Sequence, residues 1–164
     1  MRRGSDPRGR SAVRFLCDAM LGGLAKWLRA AGYDASCARG EPDGEIVRRA
    51  MEEDRVILTC DGGFMERAPV RDGRVEVFLL PQDLSVEEQL RAVATHFELR
   101  RLPSRCMECN GELAEASPED VADDVPPGVA GRQRLFFRCR GCRRVFWYGS
   151  HWERIGGRLG RVFG

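Results

Sequence analysis

VRFLCDAMLGGLAKWLRAAG, residues 13–32, sets out a strand and a helix with an acid between them. The apolar run 13–17 is long enough for one buried strand, and Asp18 closes it. Leu21, Leu24, Ala25, Leu28 and Ala31 then recur at the spacing of one helix face. Gly32 falls where a left-handed helix end belongs. Asp18 therefore stands at the mouth of a strand–helix unit, where open α/β sheets bind their ligands. Capping the helix would by itself account for an aspartate there. A second unit of the same design, Val56-Ile57-Leu58 followed by Thr59-Cys60-Asp61, opens a further reading. Two acids at the ends of two strands could converge on one metal site.

Outward from these two units the alternation continues. Residues 33–37 offer a short second strand, and Gly40-Glu41-Pro42-Asp43-Gly44 is turn chemistry. A helix over 43–53 presents Ile46, Val47, Ala50 and Met51 on one face. Asp43 is an N-cap candidate, and Glu45 lies in the first turn, where negative charge suits the helix dipole. Both join a site only if this helix start faces Asp18 and Asp61. Strands at 55–59 and 75–80 follow, and Asp83 comes after the second of them as a further acid near a strand end. Ser85 with Glu88 fits a capping box at the head of an amphipathic helix. The pattern predicts an α/β domain over residues 13–100, a small parallel sheet with flanking helices, behind a disordered basic arm at 1–12.

Hydrophobic residues make up 43% of the 164, and charged residues 32%, as in soluble globular proteins. No apolar stretch reaches the length of a membrane span, and Asp18 and Lys26 interrupt the one run that could serve as a secretory signal. A cytoplasmic protein without a membrane partner is expected. The net charge of +2 is unevenly spread. Residues 1–14 carry +4, residues 132–161 carry +8, and the stretch between them is left with −10. Basic ends about an acidic body suit a protein whose body holds cations and whose ends meet a polyanion. Solubility alone would also explain basic ends.

After residue 100 the composition changes. Cys106-Met-Glu-Cys109 and Cys139-Arg-Gly-Cys142 form two C-x2-C pairs with 29 residues between them. One turn can present both sulfurs of such a pair, and four thiolates suit tetrahedral zinc. Two disulfides or a redox pair are the alternatives. An odd total of seven cysteines, with no expected export signal, favours structural zinc. A zinc ribbon over 104–152 is expected, with residues 117–131 (SPEDVADDVPPGVAG) as a flexible acidic loop inserted in it and a basic tail at 153–164. Arg138, Arg140, Arg143 and Arg144 interleave with aromatics that include Trp147. Arginines for phosphates beside aromatics that stack bases are what single-stranded RNA recognition needs. A small ribbon that buries its rings and solvates its arginines would look the same.

RFLCDAMLGGLAKWLRAAGYDA, RVILTCD, SRCMECNGEL and FFRCRGCRRVFWYGSHW, in this order, resemble the Mut-seven C-terminal RNase domain family. The resemblance runs from about Val13 to Trp152. It implies a PIN-like nuclease domain joined to a C-terminal zinc ribbon, and a metal-dependent ribonuclease with an acidic site. Carried over, Asp18, Asp61 and Asp43 (or nearby Glu45) are the catalytic acids, with Asp18 and Asp61 as primary ligands of Mg²⁺ or Mn²⁺. Lys26 and Arg29 fall in the helix motif where the family carries basic residues that meet RNA. Two positions depart from the family: Gly23 replaces a basic residue, and Leu58-Thr59-Cys60-Asp61 stands where LTRD is usual. The expected function is hydrolysis of RNA phosphodiesters, with the ribbon aiding binding. The alternative is a non-catalytic RNA- or ribosome-binding adaptor working through the ribbon. An α/β phosphatase with an aspartate nucleophile ranks behind both, because position 20 is Met20 where such a site wants a second acid. Nothing in the residues specifies a protein partner or antitoxin.

Overall fold

Phe15, Leu16 and Cys17 are wholly buried, alternating between the two faces of a sheet that is covered on both sides. These three residues are the first strand in the structure, a computed structural model that describes residues 12–164. The arm expected at 1–12 falls outside the described residues except for Ala12. The elements that follow are β1 (Phe15–Cys17), α1 (Gly22–Ala30), β2 (Ala35–Cys37), α2 (Asp43–Glu52), β3 (Val56–Thr59), α3 (Ala68–Arg71), β4 (Val77–Leu79) and α4 (Val86–His96). The four strands form one parallel sheet in the order β2-β1-β3-β4. The fold is thus the α/β arrangement expected, a small parallel sheet flanked by helices.

Strand order reverses between β1 and β3. The chain leaves β1 towards β2 and returns to pair with β1's other edge. Phe15, Cys17, Ala35, Val56 and Leu58 face α1 and α4, while Leu16 and Ile57 pack against Ile46, Val47 and Ala50 of α2 and against Phe64. Each fully buried Leu or Phe in these layers contributes about 1.5–3 kcal/mol. Gly32, at φ 100°, ends α1 as expected, and a Cβ there would lie 2.4 Å from Leu102 Cβ. Ser85 and Glu88 close the expected capping box at α4.

Past the linker the chain forms β5 (Leu113–Ala116), α5 (Pro118–Val121), α6 (Val129–Arg132), β6 (Phe136–Cys139), β7 (Val145–Trp147) and α7 (Ser150–Phe163). The strands β5-β6-β7 make an antiparallel sheet, in which β5 is a strand not anticipated. Two sequence expectations need correction. The acidic stretch 117–131 is folded: Val121 and Val125 are buried against Phe136, and short helices carry them there. The residues expected as a basic tail form α7, whose Ile155 and Leu159 belong to the same core as β1 and α1. Arg161 meets Glu87 of α4 at 3.1 Å, and the Arg158 guanidinium lies 5.4 Å from the Trp27 ring centre. The last helix therefore returns to cover the first layer. Among the described residues no helix is long and apolar enough to cross a membrane.

Candidate active site and metal centre

Asp18 and Asp61 follow β1 and β3, the two strands on either side of the point where strand order reverses. Crevices at such points are where open α/β sheets hold ligands. The wholly buried Thr59 lies between the two acids. Its hydroxyl donates to Asp18 Oδ2 at 2.9 Å and accepts from the Asp61 backbone N–H at 3.0 Å. Asp18 Oδ1 accepts from Ala19 N–H at 2.7 Å, and Asp61 Oδ1 from Gly63 N–H at 2.8 Å. Both acids thus cap short 3₁₀ turns, as the plainer sequence reading allowed. Thr59 is the member of this group that the sequence reading missed. A hydroxyl at the end of a buried apolar run was the available signal.

The other acids stand apart. Asp43 does not cap α2: Pro42 is the N-cap residue, and Asp43 is instead 3.5 Å from Arg67 Nη2. Arg48 takes up Glu45 Oε2 through both Nε and Nη2, at 3.1 and 2.6 Å, along the exposed side of the helix. Asp83 is exposed beyond β4. At Gly23, a Cβ would sit 3.1 Å from Val86 Cγ2, so a larger residue needs Val86 to give way. Cys60 is half-buried, with its thiol 3.7 Å from the Pro81 carbonyl, and burial pushes that thiol up. Cys17 and Cys37 are neighbours in register at the ends of β1 and β2. Burial raises both thiols, which makes them poor nucleophiles.

Among the described residues, Cys106, Cys109, Cys139 and Cys142 are the single group of three or more metal-ligating side chains whose donor atoms all lie within 4.8 Å of one another. Cys106 Sγ is 3.7 Å from Cys142 Sγ, and Cys109 Sγ is 3.3 Å from Cys139 Sγ. Sulfurs about 3.8 Å apart are what a tetrahedron with zinc–sulfur bonds of about 2.3 Å requires. The two knuckles are built alike. Asn110 and Arg143, each following a second cysteine, adopt left-handed φ values of 70° and 65°. Gly111 N–H donates to Cys109 Sγ at 3.4 Å and Gly141 N–H to Cys139 Sγ at 3.3 Å, bonds that favour thiolate. A Cβ on Gly111 would come 2.7 Å from Cys139 Sγ, so the cradle is shaped for sulfur and metal alone. Burial works to raise both cysteines of the first knuckle, and Cys106 is pushed up to about 12. At Cys109 hydrogen bonds from Cys139 and Gly111 prevail and bring the thiol down to about 7. The donor set fits zinc.

The basic residues divide into two groups. Arg29 is buried: its Nε donates to the Ala35 carbonyl at 2.8 Å and its Nη1 to the Met107 carbonyl at 2.8 Å, tying α1 to β2 and to the first knuckle. Arg138 binds Asp124 Oδ2 at 2.6 Å and the Asp120 carbonyl at 3.0 Å, pinning the acidic segment to β6. Trp147 packs on Phe136 inside the ribbon. These three are structural ties. Arg140, Arg143 and Arg144 are exposed about the second knuckle, and Lys26 lies 3.7 Å from Glu108, which Arg144 also approaches at 3.9 Å. Tyr148, one residue past Trp147, is the ring that reaches solvent.

The profile of the Mut7-C RNAse domain matches residues 13–159. The human protein named exonuclease mut-7 homolog is 27% identical to this chain over 88% of it, while the chain spans 25% of that protein's length.

Proposed function

This chain belongs to the Mut7-C RNAse domain family, and from that premise we propose that it hydrolyses RNA phosphodiesters at the Asp18/Asp61 mouth with Mg²⁺ or Mn²⁺. The observation that carries the reading is the Thr59 hydroxyl, which joins the Asp18 carboxylate to the Asp61 backbone at neighbouring strand ends. Carboxylate oxygens suit these hard cations, which keep several waters and so need few protein ligands. Asp18 and Asp61 would hold such an ion, which when bound would supply an acidified water and offset charge on the phosphate and the leaving oxygen. Asp18, fixed by Thr59 and Ala19, and Asp61, whose Oδ2 has no hydrogen-bond donor among the described residues, are the proposed ligands. Asp43 completes the site only by leaving Arg67. Arg140, Arg143 and Arg144 hold the strand, and the four cysteines carry structural zinc.

The test is cleavage of labelled single-stranded RNA by wild type, Asp18→Asn and Asp61→Asn, with Mn²⁺ and without added divalent ion, zinc content being checked in each. Metal-dependent cutting lost in both variants is the expected result. The human relative's name specifies an exonuclease, and the ladder of products tells end-trimming from internal cuts. A folded, zinc-loaded wild type that binds RNA and never cuts it would overturn the enzyme reading. That result would favour an adaptor acting through the ribbon, whose exposed arginines are the observation behind that second reading.

A further inference from the structure

A small cavity of about 50 Å³ opens where the linker after α4 meets the end of β7 and the inner side of α7. Its walls include Arg101, Ser104, Tyr148, Trp152 and Gly156. The Tyr148 and Trp152 rings lie 6.3 Å apart, tilted at 34°, and Phe146 stacks on Trp152 at 6.4 Å and 27°. Tyr148 is 55% exposed. Trp152 Nε1 is the one buried side-chain polar atom without a hydrogen-bond partner among the described residues. A buried donor left unpaired is costly, and an acceptor brought into this cavity would be its natural partner. Ser104 donates its hydrogen to the Ala30 carbonyl at 2.7 Å, which leaves its lone pairs to accept. Arg101, whose guanidinium lies over Gly156, makes no ion pair among the described residues.

A flat exposed ring, one free donor, one free acceptor and an unneutralised guanidinium are together the chemistry of a nucleotide. We propose that this cavity is the inner edge of a nucleotide subsite, which takes one unstacked base of single-stranded RNA on the exposed Tyr148 ring and the neighbouring phosphate on Arg101. It rests on the reading of the chain as an RNA-cleaving protein and adds to it a second place, on other elements than the acids, where the strand is gripped. The base edge meets Trp152 Nε1–H and Ser104 Oγ. The +8 charge of residues 132–161 supplies the attraction around it.

The experiment uses the full, zinc-loaded chain labelled with ¹⁵N, with the Trp152 indole resonance assigned through Trp152→Phe. The probes are UMP, AMP, ribose 5-phosphate and a short oligouridylate. The Trp152 indole signal is expected to shift with the nucleotides and the oligomer and to stay in place with ribose 5-phosphate. Tyr148→Ala and Arg101→Gln should each weaken oligomer binding by roughly tenfold, with Tyr148→Phe close to wild type. An indole signal unmoved by saturating oligomer overturns the proposal, as does an equal response to ribose 5-phosphate, which would mark a plain anion site. Absent cleavage with the Trp152 shift intact sinks the nuclease reading and leaves this subsite standing. Cleavage with no shift does the reverse.

Discussion

Thr59 carries one hydrogen and two lone pairs, and the geometry of the mouth uses them to hold two acids in register. Thr59→Val keeps the shape and removes the hydroxyl. RNA cleavage should fall roughly 10–100-fold, as when a partner of a metal ligand is lost. Thr59→Ser should recover most of it. Equal rates for Val and Thr at this position would dismiss the hydroxyl's role. Gly111 sets the opposite constraint, on space. In Gly111→Ala the added carbon must find room 2.7 Å from Cys139 Sγ, so zinc content should drop and the melting temperature with it. Full zinc occupancy in that variant would show that the cradle has more slack than its atoms suggest. The sequence named the four cysteines because spacing encodes them. Arg138 and Trp147 were assigned to RNA because charge and aromaticity are visible in a sequence, and Arg29 through the family resemblance, while the carbonyls and rings that take them up are not visible there.

At the scale of elements, the strand–helix alternation of the first hundred residues was legible because β1, β3 and β4 carry apolar runs and α1, α2 and α4 an apolar stripe each. The segments that were misread have weaker local signals. Gly156, Gly157 and Gly160 lower helix propensity in α7, yet Ile155, Leu159 and Val162 share one side, and packing on α1 and α4 overrides the glycines. Residues 117–131 offer only Val121 and Val125 as buried anchors, too few to set a period, and their order comes from contact with Phe136. Leu159 is wholly buried, so Leu159→Ala should cost about 2–5 kcal/mol of stability in denaturant unfolding. A loss below about 0.5 kcal/mol, the size of an ordinary surface change, would mean that α7 merely rests on the first layer.

Across the whole molecule, Asp34 links the parallel-sheet layer to the first cysteine knuckle. Burial tends to raise its carboxyl, but hydrogen bonds from Arg55 at 2.6 Å and Asn110 Nδ2 at 2.7 Å outweigh it and bring the group down to about 2. A carboxyl lowered from about 3.9 in the unfolded chain contributes stability that is complete above that value and lost as the pH falls towards 2. The stability gap between wild type and Asp34→Asn, read from urea midpoints, should therefore be full at pH 6 and shrink below pH 4. A gap that does not change with pH would mean that the charge on Asp34 contributes nothing. The same Asn110 that answers Asp34 also accepts from the Ala35 N–H at 3.1 Å, and Arg29 occupies the Ala35 carbonyl, so the first zinc knuckle covers the outer border of β2. An uncovered strand border is a template for further strands. Stripping the metal should thus do more than loosen the ribbon: it should leave a sticky seam along which apo molecules stack, turning a chelator into a trigger for turbidity.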